Sequence, residues 1–287
     1  MIKIKLTGGL GNQMFQYAAS LALARKLDTM LVIDISFFKK YDLHPLRITE
    51  LKCSACFNMN NLFLFRFCTS SKIRAFLPFL IRWKKFYFEP SLAFDEGFLK
   101  LSDGSTVLGY FQSEKYFLDI RDELIAEFKI KYSTPTQVEK LINKIQVSDS
   151  VSIHIRRGDY ISTNSASDVH GTCDKSYYNN AIEYLNISGV LNENTILFIF
   201  SDDIDWCSKN LNFPYKCQFV KGSNERPELD MLLMSKCKHN IIANSSFSWW
   251  GAWLNENENK LVVAPKKWFK SHLHDSKDIV PSHWKKI

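Results

Sequence analysis

The stretch TILFIFS, residues 195–201, is a continuous apolar run that ends in a serine and is followed by two aspartates. A run without polar alternation is typical of a strand covered on both faces, as in a parallel sheet. Further strands are predicted at 151–156, where apolar residues alternate with polar ones, and at 240–243 and 261–265, and segments with helical spacing of apolar residues separate them. These repeated strand–helix–strand units predict a Rossmann-like domain.

The first half of the chain begins in the same way. Its pattern predicts strands at 3–7, 30–35 and 107–110 and helices at 12–27 and 116–128, with one more helix after 131–137. The segment 37–89 shows only some helical content. We place the domain boundary near Ser148, which gives domains 1–148 and 149–287. The predicted fold is α/β, with two Rossmann-like domains facing a central cleft.

Composition narrows the class of protein but not its ligand. A chain of 287 residues with 46% apolar content can bury a large core. The net charge of +7 fits an anionic ligand or a membrane surface as well as nucleic acid, so it selects no partner. Seven scattered cysteines, an odd number, indicate reduced thiols, and Cys53 and Cys56 read as packing residues because no second CxxC follows.

Residues 1–6 form a strand pattern and not a secretory signal, and no apolar run reaches the roughly 20 residues of a spanning helix. The segment 62–88 mixes basic and apolar residues and contains no acid. It is interpreted either as helices with solvated basic faces or as a surface that lies on an anionic membrane. We therefore expect a cytoplasmic protein, with peripheral contact at the inner membrane left open.

Two adjacent arginines, Arg156 and Arg157, end the predicted strand in the stretch HIRRGDY, residues 154–160. The carboxyl end of a parallel strand is where open α/β sheets bind ligands, and a guanidinium suits phosphate. Successive strand residues point to opposite faces, so we expect one arginine to face the cleft and the other to pair with Asp159. The alternative is that both are structural ion pairs.

Two more loops follow predicted strands. In LTGGLGNQMFQYA, residues 6–18, the glycines allow close approach of the backbone to a ligand, but the spacing is neither the dinucleotide nor the P-loop pattern. In SDD, residues 201–203, the acids can accept hydrogen bonds from a ribose or guanine, or bind a metal. Alternatively, Ser201 or Asp202 caps the next helix.

The stretch IIANSSFSWWGAWLN, residues 241–255, runs from a strand through Asn-Ser-Ser into a helix. Hydroxyls and free amides at a helix N-terminus make a phosphate cradle. We interpret Trp249, Trp250 and Trp253 as core residues and not as a platform for sugar. Together, the loops at 154–159, 201–203 and 244–247 indicate a nucleoside diphosphate that is held by arginine and a helix terminus.

Several stretches carry a resemblance to a known family. They are GGLGNQMFQYA (8–18), GYFQSEKYF (109–117), HIRRGDY (154–160), SDD (201–203), ERPELDMLLMSKCKHNIIANSS (225–246) and NSSFSWWGAWL (244–254). In this order they resemble the bacterial α-1,2-fucosyltransferases of glycosyltransferase family 11, over almost the whole chain. The HxRR-G-D and NSSFSWWGAWL stretches are the most specific, whereas the segment 37–105 is the most variable.

The resemblance implies a two-domain GT-B-like fold and inverting transfer of L-fucose from GDP-fucose to the 2-hydroxyl of a terminal galactose in a surface glycan. It implies no obligatory metal, no cofactor and no nucleic-acid partner. Domain 1–148 would bind the galactose-terminated oligosaccharide or glycolipid acceptor, and domain 149–287 would bind GDP-fucose. Gly158 before the aspartate and the short chain depart from the α-1,6 pattern, which favours the α-1,2 assignment.

By the same resemblance, Arg156 grips the β-phosphate and neutralises the departing GDP, and Asp159 is a second candidate catalytic residue. The other residues expected to contact the donor are His154 and Asp202 at the guanine, Ser245, Ser246 and Phe247 at the diphosphate, and Arg157, Asn244, Gly9, Gly11 and Asn12. The general base stays open among Asp159, Glu114 and Asp168. The alternatives are a GDP-fucose-dependent enzyme of another linkage and a non-catalytic glycan-binding module.

Overall fold

A computed structural model describes residues 1–39, 44–59, 85–157, 173–222, 225–269 and 275–287. The chain forms two compact units, Met1–Lys131 with Lys277–Ile279 and Tyr132–Ser276 with Val280–Ile287. The division thus falls before the helix Thr136–Val147 and not near Ser148. This helix packs against the strand that follows it and against a later helix of the second unit, which is why it belongs there.

A parallel sheet in the order β3-β2-β1-β5-β4 forms the centre of the first unit. Its strands are β1 Ile2–Lys5, β2 Leu31–Asp34, β3 Cys56–Asn58, β4 Phe86–Phe88 and β5 Thr106–Leu108, and its helices are α1 Leu10–Lys26 and α2 Arg121–Glu127. Two single 3-10 turns, Glu114–Tyr116 and Leu118–Ile120, precede α2, so the helix predicted at 116–128 is regular only in its second half. The strands β3 and β4 were not predicted.

Helix α1 is buried on almost every side, with Met14, Phe15 and Ala18 inaccessible to solvent. The chain turns into it through Gly8, whose φ of +76° lies in the left-handed region that favours glycine. Gln13 fastens the turn: its Nε2 donates to the carbonyls of Gly8 at 2.9 Å and Pro45 at 3.1 Å. Hydrogen bonds from a buried amide therefore fix the glycine-rich turn.

The second unit contains a parallel sheet of six strands in the order β11-β10-β9-β6-β7-β8. The strands are β6 Asp149–Ile155, β7 Thr195–Ser201, β8 Lys216–Val220, β9 His239–Ile241, β10 Val262–Ala264 and β11 Lys285–Lys286. The helices are α3 Thr136–Val147, α4 Lys175–Ile187, α5 Ile204–Asn210, α6 Pro227–Lys236 and α7 Ser246–Trp253. This is the doubly wound Rossmann order, and it reverses between β6 and β9.

The core of the second unit explains the predicted apolar runs. Ile153 and Ile155 on β6 and Leu197 and Ile199 on β7 are buried in one cluster. The three tryptophans of α7 are buried as well, with Trp249 and Trp250 fully inaccessible. They pack on one another and not on solvent, so the prediction that they are core residues is confirmed.

Three further expectations from the sequence concern the cysteines, metal binding and membrane-spanning helices. The six cysteines within the described ranges are free thiols; Cys53 is half-buried but Cys56 is exposed, so the interpretation of Cys56 as a packing residue was wrong. In the described part of the chain, no group of three or more His, Cys, Asp or Glu side chains is placed to hold a metal ion, and no helix is long and apolar enough to cross a bilayer. Most of the basic segment 62–88 lies outside the described residues, and its end forms β4.

Candidate active site

Arg156 and Arg157 follow β6 directly, at the carboxyl edge of the sheet and beside the point where the strand order reverses. Nε of Arg156 lies 3.2 Å from Oδ2 of Asp202, and each of these side chains is 22% exposed. The backbone N–H of Arg157 donates to Oδ1 of the same carboxylate at 2.8 Å. One aspartate after β7 therefore holds both the side chain of the first arginine and the backbone of the second.

Arg157 is held separately. Its Nε lies 3.4 Å from Oδ2 of Asp203, and the guanidinium carbon sits 3.4 Å from the centre of the Trp206 ring. A guanidinium stacked on indole gains a cation–π attraction. The sequence expectation paired one of the two arginines with Asp159, which lies outside the described residues; within them Arg157 contacts Asp203 and Trp206.

The helix after β7 is capped by Asp203, whose Oδ1 accepts the N–H of Trp206 at 3.1 Å. The predicted caps, Ser201 and Asp202, were therefore wrong as caps. Ser201 Oγ accepts the N–H of Asp203 at 3.0 Å. Asp202 instead contacts the two arginines that follow β6. The chain turns between β7 and α5, so the carboxylates of Asp202 and Asp203 meet different partners.

His154, the sixth residue of β6, is buried beneath this loop. Burial, together with the nearby charge of Arg156, lowers the pKa of His154 to about 3, so the ring is neutral at physiological pH. Its Nδ1 has no hydrogen-bond partner among the described residues. The ring centre lies 5.7 Å from that of Phe247, which brings the end of β6 next to the first turn of α7.

The first turn of α7 follows β9 at the other side of the reversal point. Ser245 is the N-cap, and its Oγ accepts the N–H of Phe247 at 3.3 Å. Ser246 and Phe247 are partly exposed, and the first amides of a helix point outward to favour an anion. Asn244 is buried: its Nδ2 donates to the carbonyl of Trp268 at 3.1 Å, so this amide fixes the loop.

The remaining predicted donor residues, Gly9, Gly11 and Asn12, belong to the first unit. Gly9 is the residue before α1, whereas Gly11 is buried within the first turn of the helix. Oδ1 of Asn12 accepts a hydrogen bond from Nε2 of Gln112 at 2.7 Å. The structure therefore brings His154, Arg156, Arg157, Asp202 and Ser245–Phe247 together at one sheet edge, and it places the glycine-rich residues at the edge of the other sheet.

The three candidates for the general base fare differently. Asp159 and Asp168 lie outside the described residues. Glu114 is only 9% exposed and lies in a 3-10 turn that Ser113 caps, which is a poor position for a group that must reach a substrate hydroxyl.

Sequence reasoning missed two acids in the first turn of α6. Burial and the neighbouring Glu228 raise the pKa of Asp230 to about 7, and the Asp230 carboxylate packs so tightly on Gly222 that any side chain there would collide with it. Glu228 accepts from Nε of Arg226 at 2.9 Å. In the sequence these acids look like ordinary helix-dipole residues, and only their burial distinguishes them.

The family model described as Glycosyl transferase family 11 matches residues 1–287. The chain belongs to this family. It is 36% identical to an alpha-1,2-colitosyltransferase of Escherichia coli, with 100% of this chain and 99% of the relative covered. It is also 36% identical to the O-antigen biosynthesis glycosyltransferase WbnK of Escherichia coli, over 92% of this chain and 93% of that protein. The predicted family and the predicted enzyme class are confirmed: this family 11 member is a glycosyltransferase.

Solved structures show the same fold at low sequence identity. The fucosyltransferase NodZ from Bradyrhizobium has a TM-score of 0.50 and 14% identity, with 87% of this chain and 91% of that chain covered. A mutant of FUT1 from Arabidopsis thaliana in complex with GDP has a TM-score of 0.53 and 12% identity, with 91% and 69% covered. The predicted GT-B-like α/β fold of the family 11 chain is therefore confirmed.

Proposed function

We propose that this glycosyltransferase moves L-fucose from GDP-β-L-fucose to the 2-hydroxyl of a terminal galactose, with inversion at the anomeric carbon, during the synthesis of a surface glycan. The observation that carries the proposal is the position of Arg156. It lies at the carboxyl edge of a doubly wound sheet, beside the reversal point and close to a helix N-terminus, which is where such sheets bind nucleotide phosphates.

In the proposed reaction, the bond between the anomeric carbon and the β-phosphate oxygen breaks, and its electron pair stays on GDP. The acceptor oxygen forms the new bond on the opposite face of the sugar ring. Negative charge therefore grows on the β-phosphate as the transition state forms. A guanidinium that Asp202 already orients stabilises that charge more than it stabilises the ground state.

The remaining residues of this edge have supporting roles in the proposal. The amide of Ser246 at the start of α7 can donate to a diphosphate oxygen, whereas the N–H of Phe247 already donates to Ser245 Oγ. Neutral His154 can act as both donor and acceptor of hydrogen bonds, which suits a purine edge. Asp202 and Arg157 hold the loop that carries Arg156. We expect the reaction to need no added metal, because Arg156 supplies the positive charge.

A second donor is favoured by one specific observation, the 36% identity over the full chain to an alpha-1,2-colitosyltransferase. A colitosyl group is a fucosyl group that lacks the 3-hydroxyl, so the two nucleotide donors would place the same phosphates against Arg156. The difference lies in whether a polar group of the site meets the 3-hydroxyl. Losing such a hydrogen bond discriminates strongly between otherwise identical substrates.

The test is an acceptor screen with the purified protein, galactose-terminated oligosaccharides and either nucleotide donor, in buffer containing EDTA. Mass spectrometry reports transfer and NMR reports the linkage. A product with fucose α-linked to the galactose 2-position supports the proposal. Transfer from the colitosyl donor alone, or to another hydroxyl, would replace it with the second donor or another linkage, and loss of activity in EDTA would contradict the metal-free reaction.

A further inference from the structure

Helix α4 begins with two adjacent tyrosines, Tyr177 and Tyr178, in its first turn. Asp174 is the N-cap of the helix, and its Oδ1 accepts the N–H of Tyr177 at 2.9 Å. Both tyrosines belong to the core cluster of the second unit and are at most 7% exposed. Their ring centres lie 5.0 Å apart, with an angle of 69° between the ring planes. The first turn of α4 is therefore a fixed part of the core.

The two hydroxyls reach the ends of two different strands. The hydroxyl of Tyr178 donates to the carbonyl of His154 on β6 at 3.2 Å, two residues before Arg156. The hydroxyl of Tyr177 donates to the carbonyl of Ile242 at 2.6 Å, directly after β9. The strand order of the second sheet reverses between β6 and β9. One turn of α4 thus contacts the backbone on both sides of the reversal point.

The contacts explain why tyrosine and not phenylalanine occupies these core positions. A phenylalanine ring would fill nearly the same volume, and a buried hydroxyl without a partner is unfavourable. Burial raises the pKa of both phenols well above the ordinary value, so each hydroxyl keeps its proton and remains a donor at pH 7. Each hydroxyl thus supplies a directed hydrogen bond to a strand that leads into the candidate site.

A third contact comes from the residue before the N-cap. The thiol of Cys173 lies 3.5 Å from Oδ1 of Asn244, in the loop that joins β9 to α7. Nδ2 of Asn244 donates to the carbonyl of Trp268, so this loop is held from two sides. The chain from 173 to 178 therefore contacts the segment before Arg156 and the segment before Ser246.

We propose that Tyr178 and Tyr177 are positioning residues for the nucleotide donor. Tyr178 sets the place of Arg156 through the backbone of β6, and Tyr177 sets the start of α7, with the amide of Ser246, through the backbone after β9. This inference rests on the proposed function, in which both of these groups contact the diphosphate. The two tyrosines act through different groups, so their removal should affect different kinetic constants.

Tyr178→Phe should act mainly on turnover. The freed carbonyl of His154 lets the strand end shift, and Arg156 acts on charge that develops in the transition state. Because misplacing a reacting group by about 1 Å can cost about 100-fold, we expect kcat to fall about tenfold for the partial shift caused by one lost hydrogen bond. GDP affinity, measured by calorimetry, should weaken by no more than about twofold, since ground-state binding is less affected.

Tyr177→Phe should show the opposite split. The amide of Ser246 meets the diphosphate in the ground state and the transition state alike, so its displacement weakens binding without slowing the chemical step. We expect GDP affinity to weaken and the donor KM to rise about fivefold, the effect of roughly one lost hydrogen bond, with kcat nearly unchanged.

A double variant separates positioning from a general structural role. If Tyr178 acts through Arg156, adding Tyr178→Phe to Arg156→Ala should cause no further fall in kcat. The control is Tyr116→Phe in the first unit, where a hydroxyl on a 2% exposed residue accepts the N–H of Asp95 at 2.9 Å. It should lower the denaturant midpoint as the α4 variants do, but leave kcat and GDP affinity unchanged.

An exposed residue gives a second test that does not alter the core. Asp174→Ala removes the cap of α4 and loosens the turn that carries both tyrosines, so kcat and GDP affinity should each fall about threefold. Asp174→Asn, an equally good cap, should restore both to wild-type values.

The inference is overturned if the folded tyrosine variants keep wild-type kcat and GDP affinity, if the Tyr116 control loses as much, or if the losses in the double variant are additive. It is also overturned if Asp174→Ala changes neither constant, or if Asp174→Asn fails to restore them. Absence of transfer by the wild type would instead overturn the proposed function.

Discussion

The two sheets of this glycosyltransferase are both parallel, but their carboxyl edges carry opposite chemistry. In the second unit the edge holds Arg156 and Arg157 with the N-terminus of α7. In the first unit the carboxyl edge of the sheet includes Glu89, which accepts the N–H groups of Tyr110 and Phe111, and the amide pair of Asn12 and Gln112. One edge suits phosphate and the other suits hydroxyl groups.

The difference shows that one kind of sheet can present very different chemistry at its edge. A parallel sheet supplies a binding edge wherever its order reverses, but it does not specify the ligand. The residues placed after the strands do so, and function must be argued from them. Under the proposed function, substitutions at the cationic edge change donor affinity and turnover, whereas substitutions at the edge of the first sheet leave GDP affinity unchanged.

The largest effect should come from Arg156→Ala. Losing the charge that stabilises the leaving phosphate should lower kcat about 100-fold or more, or about 3 kcal/mol, by analogy with loss of one oxyanion donor. Fucosyl transfer and GDP calorimetry measure it, and circular dichroism checks the fold. Arg25→Ala, which removes an exposed arginine paired with Glu123 in the first unit, is the control. If turnover of Arg156→Ala stayed within a few-fold of wild type, the proposed role of the second sheet's edge in leaving-group stabilisation would be wrong.

The next largest effect is expected from Gly8→Ala, at the edge of the first sheet. Gly8→Ala puts a side chain on a left-handed residue and 2.9 Å from Nδ2 of Asn12, so unfolding free energy should fall by roughly 1–2 kcal/mol from strain alone, plus the cost of the contact. Gly189→Ala has a similar φ of +74° and nothing nearby, so it isolates the strain. Denaturation measures both. We expect acceptor KM to rise only in Gly8→Ala, with GDP affinity unchanged; an equal stability loss in both variants would exclude the contact.

Asp202→Asn tests whether the arginines need their carboxylate. The amide cannot balance the charge of Arg156, although it can still accept the N–H of Arg157. Because the pair is partly exposed, we expect about a tenfold loss of turnover, near 1.4 kcal/mol. The double variant with Arg156→Ala should be no slower than Arg156→Ala alone. Additive losses would show that Asp202 acts independently of the arginine.

Stability should depend on pH in opposite directions at the two edges. The pKa of His154 falls to about 3, so its contribution is present above 6.5 and is lost as pH drops towards 3. The pKa of Glu89 rises to about 7, so its contribution is present below 4.5 and is lost as pH rises through 7. We therefore compare the free energy of unfolding of each variant with that of the wild type. The variant should gain on the wild type in acid for His154→Asn and near pH 7 for Glu89→Gln, each by on the order of 1 kcal/mol. Denaturant midpoints across pH 4–8 measure this, and parallel curves would refute it.

The smallest effect is expected from Trp206→Leu, which removes the ring beneath Arg157. An exposed cation–π contact contributes about 0.5–1 kcal/mol, so GDP affinity should weaken a few-fold. The control is Tyr184→Leu. Tyr184 lies on α4 and its ring lies beneath Lys285 in a comparable contact, so this variant should leave GDP affinity unchanged. If GDP affinity were equal in the wild type and both variants, the contact between Arg157 and Trp206 would have no part in donor binding.

The sequence predicted the second unit well because its strands alternate with helices along the chain, and β6 and β7 each have seven residues, nearly all of them buried. Strand 195–201 was placed without error. In the first unit β3 and β4 were missed. None of their residues is fully buried, so pairing with β2 and β5 fixes these strands and not a local apolar pattern.

The residues of the candidate site were also predicted only in part. Motif residues such as Arg156 and Ser245 were found because they follow recognisable strands. Their partners were not: Asp203 and Asp202 are adjacent in sequence, and only the turn between β7 and α5 decides which one caps the helix. Glu89 carries no motif signal, because its meaning depends on amides more than twenty residues later in the chain.

The ties around the arginine loop also bear on the entropy of association. Asp202, Asp203 and Trp206 immobilise both guanidinium groups within the protein itself. The rotamer freedom of these long side chains is thus lost during folding, and an arriving nucleotide does not have to order them. In the proposed donor complex, this preorganisation would let a small diphosphate bind firmly through few contacts.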